Sequence, residues 1–279
     1  MSDPAAATYR GGMRVFDMLV DERRRMADML ATLSAEQFHR PSLCTGWTVH
    51  DVAAHLVTYL RFGQLKLYTG ILATAADFDR INLALTRYEA RRASHEIVER
   101  LRRHSGSRVT IPRSGYDPVL ADLVLHDLDV RTPLGIARTI PEDRLWVTFN
   151  HLTSAPAPGF LVGDRLDGLH LWATDTGWTH GTGAPVCGPA ESLVLAAGGR
   201  TAALDDLAGD GVPLLRERIL TPRPKPGPLR RLIRPFSLLW RPPPRERRSR
   251  QAVAEMRAPV TRMPPLRPST DWNEWREAG

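Results

Sequence analysis

One carboxylate and two histidines stand at positions that could build a metal site. Asp122 and His126 are four residues apart in an apolar stretch, residues 119–130, that is typical of a helix. Positions i and i+4 lie on the same face of a helix. His55 stands in a second helix-like stretch, residues 51–58, and could supply a third ligand from a facing helix. Such a set binds a divalent metal and leaves a coordination position open for chemistry.

Four further residues have side chains that could take part in catalysis or binding: Asp127, Asp129, Arg200 and Cys44. Asp127 and Asp129 flank His126, where a carboxylate can accept from the imidazole and fix its orientation. Asp127 is also a candidate catalytic base. Arg200 follows a glycine pair; it could bind an anionic substrate, or only complement the C-terminal end of a helix. Cys44 would need a neighbouring base to act as a nucleophile, and the sequence shows none, so we predict a buried or loop thiol.

Composition sets limits on the class of protein. The chain has 279 residues, of which 42% are hydrophobic and 25% charged, enough for one large or two small domains. Two cysteines make no disulfide framework, so we expect a reducing, cytoplasmic environment. We recognise no signal-peptide pattern. No apolar run reaches the roughly 18 residues that a membrane-spanning helix needs.

Charge is distributed unevenly along the chain. Residues 221–279 hold 14 of the 38 Lys+Arg, 5 of the 31 Asp+Glu and 12 of the 23 prolines. The first 220 residues carry 24 basic and 26 acidic groups, so no nucleic-acid-binding core is expected. The tail is predicted to be flexible and largely disordered. Contact with a polyanion or a membrane surface is expected, if anywhere, through residues 229–250.

Four helices are predicted in the first half. They cover about residues 13–33, 48–68, 74–104 with a possible break, and 118–130, the last ending before Pro133. Thr48 and Asp51 are spaced as a capping box at the start of the second helix. The same helix carries His50, five residues before His55 and therefore pointing elsewhere. Four antiparallel helices make a bundle, a fold that builds metal sites from facing helices.

The pattern changes after Gly135. Residues 145–149 and 169–174 are typical of strands. Residues 188–199 predict a helix with a proline near its first turn and glycines at its end. Two short helices are expected at 202–207 and 212–219. These elements predict a small α+β domain over residues 136–220, so that the fold class is α plus α+β.

Residues 43–57, Leu-Cys-Thr-Gly-Trp-Thr-Val-His-Asp-Val-Ala-Ala-His-Leu-Val, resemble the signature of the mycothiol-dependent maleylpyruvate isomerase family. Its members are DinB-like, metal-binding four-helix proteins of actinobacteria. Residues 125–135 resemble a second signature of the family, and residues 188–207 its sterol-carrier-like C-terminal domain. The resemblance implies a DinB-like domain at 10–135, a sterol-carrier-like domain at 136–220, and a tail at 221–279 outside it.

The resemblance also implies a chemistry. The family's metal ligands fall on His55, Asp122 and His126, with aspartate where the family has glutamate. The implied cofactors are a divalent metal, zinc being favoured, and mycothiol as thiol cosubstrate. The metal-activated thiol would add to an electrophilic or anionic small molecule, giving cis–trans isomerisation or S-transfer.

Three alternatives stay open at this point. The protein could be a non-catalytic carrier of lipids or small molecules, because the C-terminal region resembles a lipid carrier. It could be a metal-dependent hydrolase, with Asp127 as the base that activates water. It could also be a degenerate family member that has lost the thiol site.

Overall fold

A computed structural model describes residues 4–61, 78–110, 115–154 and 165–221 of the chain. The predicted tail, with its proposed contact through residues 229–250, lies outside these ranges. The continuation of the second predicted helix to residue 68 also lies outside them. Within them, no helix has the length and apolar character that crossing a bilayer requires.

Helices make up the N-terminal part. They are α1 (Pro4–Ala31), α2 (Ala35–Phe38), α3 (Val49–Arg61), α4 (Phe78–Glu89), α5 (Ser94–Arg103) and α6 (Asp117–Leu134). Helix α1 packs against α5 and α6, and α3 packs against α4, α5 and α6. The third predicted helix is indeed broken, between Glu89 and Ser94. The buried faces of these helices enclose an apolar core, as the helical spacing predicted.

The capping box at the start of α3 is confirmed. The Thr48 hydroxyl accepts from the Asp51 backbone N–H at 3.2 Å, and the Asp51 carboxylate accepts from the Thr48 N–H at 2.9 Å. These bonds satisfy two backbone donors that a helix end otherwise leaves without partners. They also fix where α3 begins, and thereby the direction in which His55 projects.

Replacing Thr48 by alanine is expected to lower the free energy of unfolding by about 1 kcal/mol, the usual cost of losing an N-cap side chain. Urea denaturation would measure it. Thr45→Ala is the matched control, because Thr45 is exposed in the same loop and should stay within about 0.5 kcal/mol of the native protein. Equal effects of the two substitutions would show that the cap does not contribute.

The predicted end of α6 was wrong. The helix runs past Val130 to Leu134 and includes Pro133 in its last turn, before Gly135 ends it in the left-handed conformation. A proline has no N–H, so the carbonyl four residues earlier, that of Asp129, loses its helical partner. The backbone N–H of Leu43 donates to this carbonyl at 3.0 Å instead. A contact from a distant loop therefore lets the helix continue through the proline.

Residues 145–149 were predicted as a strand, and this was also wrong. They lie in α7 (Glu142–Thr153). Leu145, Phe149 and Leu152 are all buried, which is the i, i+4, i+7 spacing of a helix face. That face packs between α6 and the next helix of the chain, so tertiary burial overrides the strand propensity of these aromatic and β-branched residues.

The C-terminal part contains a three-stranded sheet. Its strands are β1 (Leu169–Ala173), β2 (Thr179–His180) and β3 (Ala184–Gly188), in the order β2-β1-β3. Strand β1 is antiparallel to β2 and parallel to β3. The connection from β2 to β3 passes the start of β1 so closely that a Cβ at Gly183, where φ is +128°, would collide with the Gly168 carbonyl.

The remaining elements agree with the sequence. The helix α8 (Ala190–Ala197) is followed by a 3₁₀ helix (Thr201–Asp206) and by α9 (Val212–Leu220). Helix α7 packs against both α6 and α8, so the buried apolar residues form one cluster from α1 to the sheet. The described part of the chain is thus mostly helical, with a small sheet in its C-terminal part.

Candidate metal centre

Helices α3 and α6 bring His55, Asp122 and His126 together. The Nε2 atom of His55 lies 3.5 Å from Oδ2 of Asp122, and Nε2 of His126 lies 3.4 Å from Oδ1. Both imidazoles are buried, whereas 40% of the Asp122 side chain is exposed. The three side chains therefore form a cluster that is closed on the histidine side and open to solvent at the carboxylate.

The spacing of the donor atoms fits a divalent metal. Two ligand atoms that lie about 2.1 Å from zinc in tetrahedral geometry are about 3.4 Å apart. Each imidazole nitrogen of the cluster stands at this separation from one oxygen of Asp122. The donor atoms of all three residues lie within 4.8 Å of one another. The short side chain of Asp122 thus reaches both histidines.

Ring contacts hold His55 in place. The rings of His55 and His126 meet edge to face, with their centroids 4.8 Å apart. On its other side His55 contacts the indole ring of Trp47 at 5.4 Å. Trp47 immediately precedes the α3 cap and packs against the core. It therefore contributes both to the helix start and to the wall of the metal centre.

Asp129 fixes the orientation of His126. The Nδ1 atom of His126 lies 2.9 Å from Oδ2 of Asp129. Because a carboxylate only accepts, Nδ1 carries a hydrogen, and Nε2 is the nitrogen that faces Asp122 and would bind a metal. Arg200 holds the carboxylate in turn, donating from Nε to Oδ1 at 2.9 Å and from Nη2 to Oδ2 at 2.6 Å. Asp129 is fully buried, so this pairing also compensates its charge.

The charges of the cluster reinforce one another in the metal-free protein. Desolvation would raise the pKa of Asp122, but the charge and hydrogen bonds of His126, with those of His55, hold it well below its usual range. Burial would lower the pKa of His126, but Asp122 and Asp129 outweigh it and raise this pKa well above its usual value. A bound metal would take the place of the proton that His126 holds here.

Cys44 lies beside this cluster, which the sequence did not predict. Its sulfur donates to Oδ2 of Asp129 at 3.0 Å and lies 3.6 Å from Nδ1 of His126. The side chain is half-buried in the loop before α3, as expected for a loop thiol. The base that the sequence did not reveal is more than 80 residues away along the chain. Only the contact between the loop and α6 brings it near.

Arg200 lies at the end of α8, where it complements the helix C-terminus, the second of the two interpretations of the sequence. Its Nη1 donates to the carbonyl of Gly198 at 2.6 Å, as expected of a cation at a helix C-terminus. Its remaining contacts are with Asp129 and, at 3.7 Å, with the sulfur of Cys44. The guanidinium is therefore close to the site, but its donors are directed at a protein carboxylate.

Asp127 is placed in a different cluster. Its carboxylate accepts from Arg131 at 2.8 Å and from Arg138 at 3.1 Å, and it is buried. It is not part of either donor group found among the described residues. This placement removes the base that the hydrolase hypothesis required. His50, as expected, points away from His55 and bonds Ser94 and the carbonyl of Ala90.

Asp129→Asn is expected to weaken metal binding by about 10- to 100-fold, the usual effect of losing the acceptor behind a histidine ligand. The amide keeps the shape of the side chain but removes the charge that orients His126 and pairs with Arg200. Zinc affinity, measured by competition with a chromophoric chelator, is the readout. Asp205→Asn is the control, since Asp205 is exposed; an unchanged affinity in Asp129→Asn would contradict this role.

Comparison with known proteins was informative for one part of the chain. No curated protein and no solved structure matches it. Residues 19–114, about a third of the chain, match the family model of the mycothiol maleylpyruvate isomerase N-terminal domain. The match includes Cys44 and His55 and ends before Asp122. It confirms the suspected family resemblance over these residues, which are similar to a mycothiol maleylpyruvate isomerase N-terminal domain.

Proposed function

We propose that the protein is a divalent-metal-dependent enzyme that uses mycothiol to attack an electrophilic small molecule. The observation that carries the proposal is the convergence of His55, Asp122 and His126 on one point, within reach of a single ion. The family match supports the identity of the thiol. The finer assignments, a DinB-like bundle and a sterol-carrier-like C-terminal domain, belong to the same proposal.

The residues have distinct roles in this proposal. His55, Asp122 and His126 would hold the metal, which when bound supplies a positive centre that favours the thiolate form of a thiol at neutral pH. Asp129 keeps Nε2 of His126 directed at the site. The exposed edge of Asp122 marks the side from which thiol and substrate enter. Two nitrogens and one carboxylate suit zinc, and also nickel, iron or manganese.

The reaction class follows from thiol chemistry. The sulfur forms a bond to one carbon of a cis-alkene diacid, which converts the double bond into a single bond. Rotation about that bond and cleavage of the C–S bond then give the trans isomer and return the thiol. With a substrate that carries a leaving group, the same attack gives S-transfer. Isomerisation is therefore thiol-dependent without consuming thiol, whereas S-transfer consumes it.

Metal content of the purified protein is the first test. Elemental analysis is expected to find about one divalent ion per chain, lost in His55→Ala. His95→Ala is the matched control, because His95 is exposed on α5 and should leave the metal content unchanged. A protein that takes up no metal after reconstitution would contradict the enzyme proposal and favour a carrier or a degenerate family member.

Thiol dependence is the second test. The metal-loaded protein is expected to convert a cis-alkene diacid such as maleylpyruvate only when mycothiol is added, and His55→Ala to be inactive. Mycothiol consumption, followed in the same assay with an electrophile that carries a leaving group, separates S-transfer from isomerisation. Metal binding without any thiol-dependent conversion would support a metal site while contradicting the proposed reaction class.

A further inference from the structure

Two donor groups in the described part of the chain share one histidine. The first is His55, Asp122 and His126, the group proposed above. The second is Cys44, His126 and Asp129, whose donor atoms also lie within 4.8 Å of one another. The first uses Nε2 of His126 and the second uses Nδ1. A neutral imidazole offers one lone pair, so a metal ion can use only one of these groups at a time.

The donor atoms of the second group would bind a thiophilic metal more strongly than those of the first group. It combines a thiol, an imidazole and a carboxylate, and zinc binds thiolate and imidazole readily. Asp129 is fully buried and Cys44 half-buried. A buried carboxylate attracts a cation strongly because little water screens it. Donor chemistry alone would therefore favour the Cys44 group over the group with the open position.

Arg200 already supplies a cation to this second group. Its Nη2 lies 2.6 Å from Oδ2 of Asp129 and 3.7 Å from the sulfur of Cys44, while Nε bonds Oδ1 at 2.9 Å. Both carboxylate oxygens are therefore engaged. A guanidinium does not lose its proton in proteins, so it repels any divalent ion that approaches the same donors.

We propose that Arg200 is a positioning residue that decides which donor group binds the metal. Its guanidinium is the resident cation of the Cys44–His126–Asp129 group and excludes a divalent ion from it. The metal is thereby directed to His55, Asp122 and Nε2 of His126. This inference rests on the proposed function, because it concerns the metal centre on which that function depends.

For the proposed function, the consequence is that no cysteine of the protein would occupy the coordination position that the thiol cosubstrate needs. If Cys44 entered the coordination sphere, a protein thiolate would take the place that the thiol cosubstrate needs. Arg200 comes after α8, outside the residues matched by the N-terminal family model. The C-terminal part of the chain thus controls how the N-terminal part binds its metal.

Cobalt substitution of the full-length protein tests the inference, because thiolate ligation gives Co²⁺ a charge-transfer band in the near ultraviolet. The native protein loaded with Co²⁺ is expected to lack this band, and Arg200→Ala to gain it. In the variant, metal binding takes the proton from the Cys44 thiol and moves the His126 hydrogen to Nε2 or solvent. Arg200→Ala combined with Cys44→Ser is expected to lose the band completely.

A conservative variant and a thiol variant guard against misfolding of Arg200→Ala. Arg200→Lys keeps a cation beside Asp129 and is expected to show no band. If the charge of Arg200 did not matter, the lysine and alanine variants would give the same cobalt spectrum. Cys44→Ser in the otherwise native protein is expected to leave the cobalt spectrum unchanged. A thiolate band in the native protein, or a spectrum altered by Cys44→Ser, would overturn the inference.

The outcomes separate this inference from the proposed function. If the native protein binds Co²⁺ without the band and Arg200→Ala does the same, the selective role of Arg200 is refuted and the metal site stands. If the native protein binds no Co²⁺ but Arg200→Ala binds it through Cys44, exclusion by Arg200 is supported and the proposed function fails. Absence of Co²⁺ from both proteins refutes both.

Discussion

His126→Ala is expected to reduce the affinity for zinc by at least about 100-fold, more than the loss of a supporting acceptor would. His126 is the one residue common to both donor groups in the described part of the chain. Its removal leaves His55 and Asp122 as the only members of the first group, and two ligands do not hold zinc in a closed geometry. Competition with a chromophoric chelator measures the affinity, and thiol-dependent turnover should disappear with the metal.

The matched control for this substitution is His39→Ala. His39 is exposed and ends α2 through backbone contacts, so its removal should leave zinc affinity unchanged. Thermal unfolding of both variants without metal checks that His126→Ala still folds, since His126 is buried and bonds Asp129. A folded His126→Ala protein that keeps one tightly bound zinc ion would show that the ligand assignment is wrong.

Glu22→Gln is expected to lower the free energy of unfolding by about 3 kcal/mol, because it breaks a buried ion-pair network by removing one partner. Glu22 on α1 is only 2% exposed. It accepts from Nη2 of Arg138 at 2.7 Å and from Nε of Arg144 at 3.1 Å. An amide of the same shape leaves two half-buried guanidinium groups with less negative charge around them. Urea denaturation with a fixed m-value is the measurement.

Asp21→Asn is the control for the same network. Asp21 also pairs with Arg144, at 2.9 Å, but 41% of its side chain is exposed, and exposed pairs contribute less than about 1 kcal/mol. Asp127 belongs to the same network through its ion pair with Arg138. The network therefore connects α1, α6 and α7. Similar losses for Glu22→Gln and Asp21→Asn would contradict the argument from burial. Metal stoichiometry should be the same in both variants, since neither residue belongs to a donor group.

The elements that the sequence predicted correctly depend on residues close together in the chain. The cap at Thr48 and Asp51, the helix that carries Asp122 and His126, and the strand at Leu169–Ala173 are all present. Helical periodicity and capping involve side chains within about four positions, so local spacing determines them. Local spacing did not predict that His55 lies beside Asp122 and His126. This proximity was inferred from the family resemblance, and the geometry of α3 and α6 supports it.

The elements that the sequence predicted wrongly depend on distant partners. Residues 145–149 are rich in the aromatic and β-branched residues of strands, yet they form a helix because α6 and α8 bury Leu145 and Phe149 on one face. Helix α6 passes Pro133 because Leu43 satisfies the carbonyl that the proline leaves without a partner. A sequence window around either segment does not contain these partners, so propensity alone gave the wrong answer.

The sequence by itself thus determined that Asp122 and His126 share one helix face and that His55 lies on another helix, because that information is in local spacing. Only the tertiary structure decided how the centre is supported. Cys44 and Arg200 meet Asp129 across 85 and 71 residues of chain. These contacts exist only after the loop before α3, α6 and the end of α8 have packed together. Packing buries Asp129, and a buried carboxylate must be paired; this requirement places the thiol and the guanidinium beside the proposed metal ligands.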